Sequence, residues 1–179
     1  MQKIKINIVS FSVFDQSLLR NIAANAGNEF RKETYIEEGH IDLSDFFDPS
    51  RGQYKANELL RTIEEIYSAP NQKTIGLFSV DLFIPILTFI FGQAYLGGIA
   101  AIASSHRLSN RRYGLKEDPG QFKMRMTKEV IHELGHSFGL IHCYTPGCVM
   151  RSSTYVEEID QKTHNLCSLC KEKILDYSG

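Results

Sequence analysis

The order of elements along this 179-residue chain predicts an α/β fold with a mostly parallel sheet packed on helices. Three observations carry that expectation: an alternating opening, two helical repeats each preceded and followed by a strand-like run, and a long apolar stripe later in the chain. Met1 to Val9 alternate polar and apolar residues like a strand. From Asp15 to Ala26, Leu18, Leu19, Ile22, Ala23 and Ala26 fall at helical spacing, and Gly27 provides a stop. Phe30 to Ile36 reads as a second strand, and Gly39 to Gln53 as a polar, aromatic loop holding Asp-Pro and Arg-Gly turn signals. Ala56 to Tyr67 repeats the helical pattern with Leu59, Leu60, Ile63 and Ile66, ended by Pro70-Asn71. Lys73 to Val80 is then a buried strand, and Ile99 to Ser104, after Gly97-Gly98, is another.

Asp118-Pro119 opens the next helix, since Asp caps the first amides and Pro fits the first turn. Phe122, Met126, Val130, Leu134 and Phe138 recur every four residues, a stripe that buries this helix against the sheet. On its other flank stands His132-Glu133-Leu134-Gly135-His136, followed by Gly139 and His142. Residues four apart share a helix face, so His132 and His136 can aim both imidazoles at one metal with Glu133 beside it. Gly139 lets the chain turn off the helix and return His142 as third ligand. Three neutral nitrogens leave one tetrahedral position open for a water, whose pKa a zinc ion lowers to about 7. Glu133 is then the expected general base in peptide-bond hydrolysis.

Composition narrows the partners. Charges nearly cancel, 20 basic against 21 acidic, so no electrostatic pull toward nucleic acid or anionic membrane is expected. The opening lacks the apolar core of a secretory signal, which points to a cytoplasmic protein. The strongest apolar run, Leu82 to Phe91, is broken by Pro85 and is about half of the ~20 residues a membrane helix needs, so it reads as buried structure. The chain is expected to act as a monomer on a peptide or protein in extended conformation.

All four cysteines, Cys143, Cys148, Cys167 and Cys170, follow the histidine motif. Cys167 and Cys170 form a knuckle, and Cys143 and Cys148 flank a Pro-Gly turn. Four thiolates would close a tetrahedral structural zinc site, two disulfides or redox thiols being the alternatives. Because Cys143 is bonded to His142, a zinc there would pin the loop carrying the third histidine.

The stretch from His132 to Cys170, with the His142-Cys143 pair, the Cys148-Val149-Met150 step and the terminal knuckle, resembles the archaemetzincins, a branch of the metzincin metallopeptidases. Asp48 to Tyr54, Asp81-Leu82 and Phe91 to Ala94 are similar to segments of the same family, so the resemblance spans nearly the whole chain. It implies a metzincin-like α/β fold, a twisted mixed sheet packed on helices, within a single catalytic domain over 1–179. An N-terminal subdomain (1–138) would carry the sheet and active-site helix, and a small zinc-stabilised C-terminal subdomain (139–179) the Met-turn at Met150. It also implies two zinc ions, a catalytic one on His132, His136 and His142 and a structural one on the four cysteines. In metzincins the last strand before the active-site helix is an antiparallel edge that binds peptide by strand addition; Ile99 to Ser104 is either that edge or a paired core strand. One departure stands out: some metzincins place a tyrosine two residues after the turn methionine, where this chain has Ser152. Tyr155 is the nearby substitute for stabilising the oxyanion, or else a half-buried aromatic.

His40, His106 and His164 read as surface or hydrogen-bonding histidines, and Arg111-Arg112 as a solvated loop. The rival function is a non-catalytic zinc-binding module for protein interaction, against which Glu133 stands, since holding metal needs no base there. A zinc ribbon for nucleic acid is disfavoured by the charge balance.

Overall fold

Ile6, Ile8 and Val9 are fully buried in β1 (Lys5–Ser10), the strand from which the main sheet grows on both sides. A computed structural model describes residues 3–177; Met1 and Gln2 of the expected opening strand lie outside them. The elements that follow are α1 (Gln16–Phe30), β2 (Thr34–Glu38), β3 (Phe47–Asp48), β4 (Gln53–Lys55), α2 (Ala56–Tyr67), β5 (Gln72–Phe78) and β6 (Leu82–Phe83). They continue with β7 (Gly92–Ala94), β8 (Ala100–Ser104), α3 (Pro119–Ser137), α4 (Val156–Asp160) and α5 (Ser168–Tyr177). The main sheet has the order β2-β1-β5-β8-β7, parallel throughout except for β7. A small sheet β3-β4-β6 stands beside it. The expected α/β architecture is present.

Strand alternation divides the core. Ile6, Ile8, Leu77, Ala101 and Ala103 pack with α1 and α3 on one face, while Phe78, Ala100 and Ile102 pack with α2 on the other. On α3, Met126, Val130, Leu134 and Phe138 are buried as their spacing predicts, and Phe138 stacks on Phe30 of α1 with centroids 4.7 Å apart. Burying such side chains contributes about 1.5–3 kcal/mol each. Asp118 caps the helix, accepting from the Gln121 amide at 2.9 Å.

Five expectations about the chain change. Gly27 does not stop α1, which runs on to Phe30 and ends with Arg31 in the left-handed region (φ 52°). A Cβ at Gly27 would stand 3.1 Å from the Lys32 carbonyl oxygen, so this glycine makes room for the returning chain. Phe30 is therefore helical, and the second strand starts at Thr34. Ile66 is 64% exposed because Tyr67 fills the core-facing place in that turn, edge-on to Phe11. The loop expected over Gly39 to Gln53 holds a 3-10 turn at Leu43–Phe46 and the short pairing of β3 with β4.

The fifth change concerns the cleft. Leu82, Phe83 and Phe91 are buried, but between them the chain loops outward and leaves Ile86 86% exposed and Leu87 half-exposed. Polar tethers hold this loop out: Arg51 donates to the carbonyls of Leu87 (2.8 Å) and Thr88 (3.0 Å), and Gln53 to that of Thr88 (3.0 Å). Asp81 ties the tethers together, accepting from Gln53 and from both faces of the Arg107 fork. Of the two readings of Ile99 to Ser104, the paired core strand holds: β8 lies between β5 and β7, and the antiparallel edge is β7. Three residues are too few for their periodicity to be read in sequence.

Candidate metal centre and cleft

α3 presents His132 and His136 one turn apart, and each ring is oriented by a backbone carbonyl. His132 Nδ1 lies 2.8 Å from the Val149 oxygen and His136 Nδ1 lies 2.7 Å from the Leu140 oxygen. A carbonyl can only accept, so in the neutral rings each Nδ1 carries the hydrogen and each Nε2 offers a bare lone pair. Those two Nε2 atoms are 3.1 Å apart. Two lone pairs at that distance repel unless a cation lies between them, and tetrahedral zinc with Zn–N bonds of about 2.05 Å sets its nitrogens about 3.3 Å apart. His142 joins them, its ring centroid 5.3 Å from that of His132 and 5.0 Å from that of His136, and the ligand atoms of all three lie within 4.8 Å of one another. Burial pushes the pKa of His132 well down and those of His136 and His142 down, which favours the neutral, metal-binding form.

The turn that returns His142 is built as expected. Gly139 has φ 86°, Leu140 N–H donates to the Gly135 carbonyl at 2.9 Å, and the last carbonyls of α3 are taken by the Gly97 amide and the Lys73 ammonium. Met150 is fully buried under this turn, its sulfur against Gly135, where a Cβ would collide with it. The Met150 carbonyl accepts from Cys143 N–H at 2.9 Å, so the methionine turn and the His142-Cys143 segment are held as a pair.

Glu133 is 5% exposed and lies against β7. A Cβ on Gly92 would come within 2.7 Å of Glu133 Cγ and 2.6 Å of the Ile102 oxygen, so the missing side chain at Gly92 is the space the glutamate occupies. Burial raises the pKa of Glu133 well above the usual carboxylate range; Glu129, one turn away, adds to the rise and Lys162 opposes it. A carboxyl whose pKa is raised by burial holds a proton more readily than a free one, which suits a group that takes and returns protons. Glu133 and the three histidines line a cleft of about 740 Å³, with β7 and the 84–90 loop as one wall and residues 152–155 as the other.

Sγ atoms of Cys143 and Cys167 are 3.8 Å apart and those of Cys148 and Cys170 3.9 Å, with all four within 4.8 Å of one another. Bonds of about 2.3 Å to one zinc place tetrahedral thiolates about 3.8 Å apart, so this set fits that ion. All four are free thiols, which leaves the disulfide alternative without support. Amides of Thr145 and Cys167 point at Cys143 and Cys148 sulfurs, each at 3.4 Å. Burial opposes ionisation of Cys167, but the Cys170 amide and neighbouring side chains outweigh it and hold its pKa down to about 6. Burial pushes the Cys170 thiol far up.

Other expected residues scatter. Tyr155 is not half-buried; it is 63% exposed at the mouth of the cleft, near Ser152. His40, His106 and His164 belong to neither ligand group among the described residues. Arg111 and Arg112 are exposed, in a 3-10 turn rather than an irregular loop. The motif alone did not single out Gly92, Glu129 or Lys162; for Glu129 the signal was available, since it precedes Glu133 by four residues.

The model of peptidase family M54 matches residues 19–176. The chain is 33% identical to the archaemetzincin of Haloquadratum walsbyi over 168 residues, 92% of this chain and 96% of that one. A crystal structure of archaemetzincin from Methanopyrus kandleri superposes with a TM-score of 0.85 at 31% identity, covering 98% of this chain and 95% of the other. A zinc-dependent peptidase from Methanocorpusculum labreanum gives 0.81 at 29% identity, covering 94% and 99%.

Proposed function

Since the chain belongs to peptidase family M54, the archaemetzincins, and is a zinc-dependent metallopeptidase, we propose that His132, His136 and His142 hold its catalytic zinc and that Glu133 is the general base. The observation that carries the assignment is the 3.1 Å approach of two Nε2 lone pairs whose rings are already fixed through Nδ1. Zinc in that place supplies a Lewis acid and makes a water acidic enough to ionise near pH 7. Glu133 takes the proton of the attacking water and delivers it to the leaving amine, with Gly92 leaving it room. β7, paired on one side only, receives the peptide as an added strand, a role the sequence had offered to Ile99–Ser104.

The second zinc is assigned to Cys143, Cys148, Cys167 and Cys170, giving two ions per chain in one catalytic domain, with residues 139–179 as the metal-braced subdomain. The Glu29 carboxylate supports that packing, accepting from the Leu166 amide at 2.7 Å and pairing with Lys171 at 3.1 Å. No helix among the described residues is long and apolar enough to cross a membrane. Thiol ligation favours a reducing compartment, hence the cytoplasm, and near-zero net charge disfavours a nucleic-acid partner. Family membership disfavours the non-catalytic module.

The test pairs metal analysis by mass spectrometry with turnover of a diverse peptide library. Glu133→Gln is expected to keep its zinc and lose about 10²–10⁴-fold in kcat. His136→Ala is expected to lose one zinc and all activity. Full turnover by zinc-loaded Glu133→Gln would remove the general-base assignment.

A further inference from the structure

Beyond the three histidines and Glu133, the cleft runs one turn of α3 toward Glu129, and there it meets a second pair of charges. Glu129 Oε1 and Lys162 Nζ are 3.5 Å apart, their side chains 4% and 2% exposed, and both residues line the cleft. Lys162 also donates to the Arg151 carbonyl at 2.9 Å. Apart from that long ion pair, Glu129 Oε1 has no hydrogen-bond partner, and the buried Ser153 Oγ on the facing wall has none. A buried carboxylate oxygen with spare acceptor capacity, next to an ammonium with a hydrogen to spare, calls for a group that donates and accepts at one point.

Resting on the peptidase reading, we propose that this end of the cleft is a side-chain subsite selecting a peptide residue with a carboxamide, glutamine or asparagine, next to the scissile bond. The amide NH2 donates to Glu129 Oε1 and the amide oxygen accepts from Lys162 Nζ. A lysine or arginine side chain meets an attractive carboxylate and a repulsive ammonium together, and an acidic side chain meets the reverse. An aliphatic side chain leaves the ion pair intact but matches neither the spare acceptor of Glu129 nor the spare hydrogen of Lys162, and a subsite built to hydrogen-bond rejects such an analogue. Glu129 and Lys162 are specificity residues here, distinct from the proton-transfer group Glu133.

The test measures binding apart from turnover. A peptide series differing at one position, with glutamine, norleucine, lysine or glutamate, is titrated by calorimetry into zinc-loaded Glu133→Gln protein. The glutamine peptide is expected to bind at least ~10-fold tighter than the norleucine peptide. A Glu129→Met/Lys162→Met double variant, in which both charges leave together, is expected to stay folded by circular dichroism and to reverse that order. Equal binding of the glutamine and norleucine peptides, tightest binding of a charged peptide, or a glutamine preference that survives in the double variant would overturn the proposal. If wild type cleaves none of these peptides while the binding order holds, the peptidase reading fails and the subsite stands.

Discussion

The histidine cluster and the cysteine cluster adjoin through the His142-Cys143 peptide bond, yet they are built to opposite ends. Among the histidines burial falls from His132, buried, through His136 to His142, exposed, so the cluster opens on the cleft. The cysteines alternate half-buried and buried, with two amides turned onto their sulfurs. As ligands, three histidines facing a cavity would leave a place for substrate, whereas four cysteines backed by amides would leave none. The difference teaches that one short segment can brace a fold and equip a reaction, provided the closed cluster holds the open one in position.

The most severe way to break that pairing is Cys143→Ser. If the closed cluster positions the open one, this variant loses the cysteine-bound zinc and also loosens His142. Metal analysis is then expected to show both sites depleted, with activity down at least ~10-fold, the range found for losing groups that support a ligand. One zinc lost with turnover unchanged would show the clusters to be independent. Gly92→Ala attacks the open cluster alone: its new methyl must displace Glu133 or β7, so kcat is expected to fall about 10–100-fold, by analogy with a ~1 Å misplacement at a reacting group. Zinc content should be unaltered, and an unchanged kcat would show that Glu133 needs no such room.

The mildest test reaches the cleft wall. Arg107 holds Asp81 through two hydrogen bonds of 2.6 Å and lies 4.0 Å over the Phe89 ring. Burial works to raise the Asp81 pKa, but the Arg107 bonds and charge outweigh it, and the net shift is below the ordinary 3.8. A depressed carboxylate pKa adds stability that is present above the unfolded value and is lost as pH falls through the folded one. Arg107→Met is therefore expected to cost about 1.5–3 kcal/mol at pH 7 in urea unfolding, with the gap to wild type narrowing below about pH 4. A gap independent of pH would mean that the arginine acts through packing on Phe89 alone.

Legibility in the sequence followed distance along the chain. The three histidines, Glu133 and Gly139 lie within eleven residues on a helix and its exit turn, so spacing alone brought them together. The two cysteine pairs were legible because each has a short internal spacing, and the ends of α2 were legible because Leu59, Leu60 and Ile63 repeat at helical spacing and Pro70-Asn71 follows, although Ile66 faces out. What escaped depends on partners far away. Leu82 to Phe91 reads as core by composition, and only Arg51 and Gln53, some 35 residues earlier, explain why its middle stands outside. Glu129 was visible as a second carboxylate on the face of Glu133, but its meaning waited on Lys162, 33 residues on. Gly92 marks a close approach to a side chain on another element, which a lone glycine does not announce.

Arg51 grips its loop by two main-chain oxygens, a feature every amino acid at those positions possesses. The tip residues Ile86 and Leu87 can thus be exchanged without cutting the anchor that shapes the lip of the cleft. That makes this segment a cassette: variation there can retune which sequences are accepted while the chemistry behind it and the scaffold beneath it stay as they are.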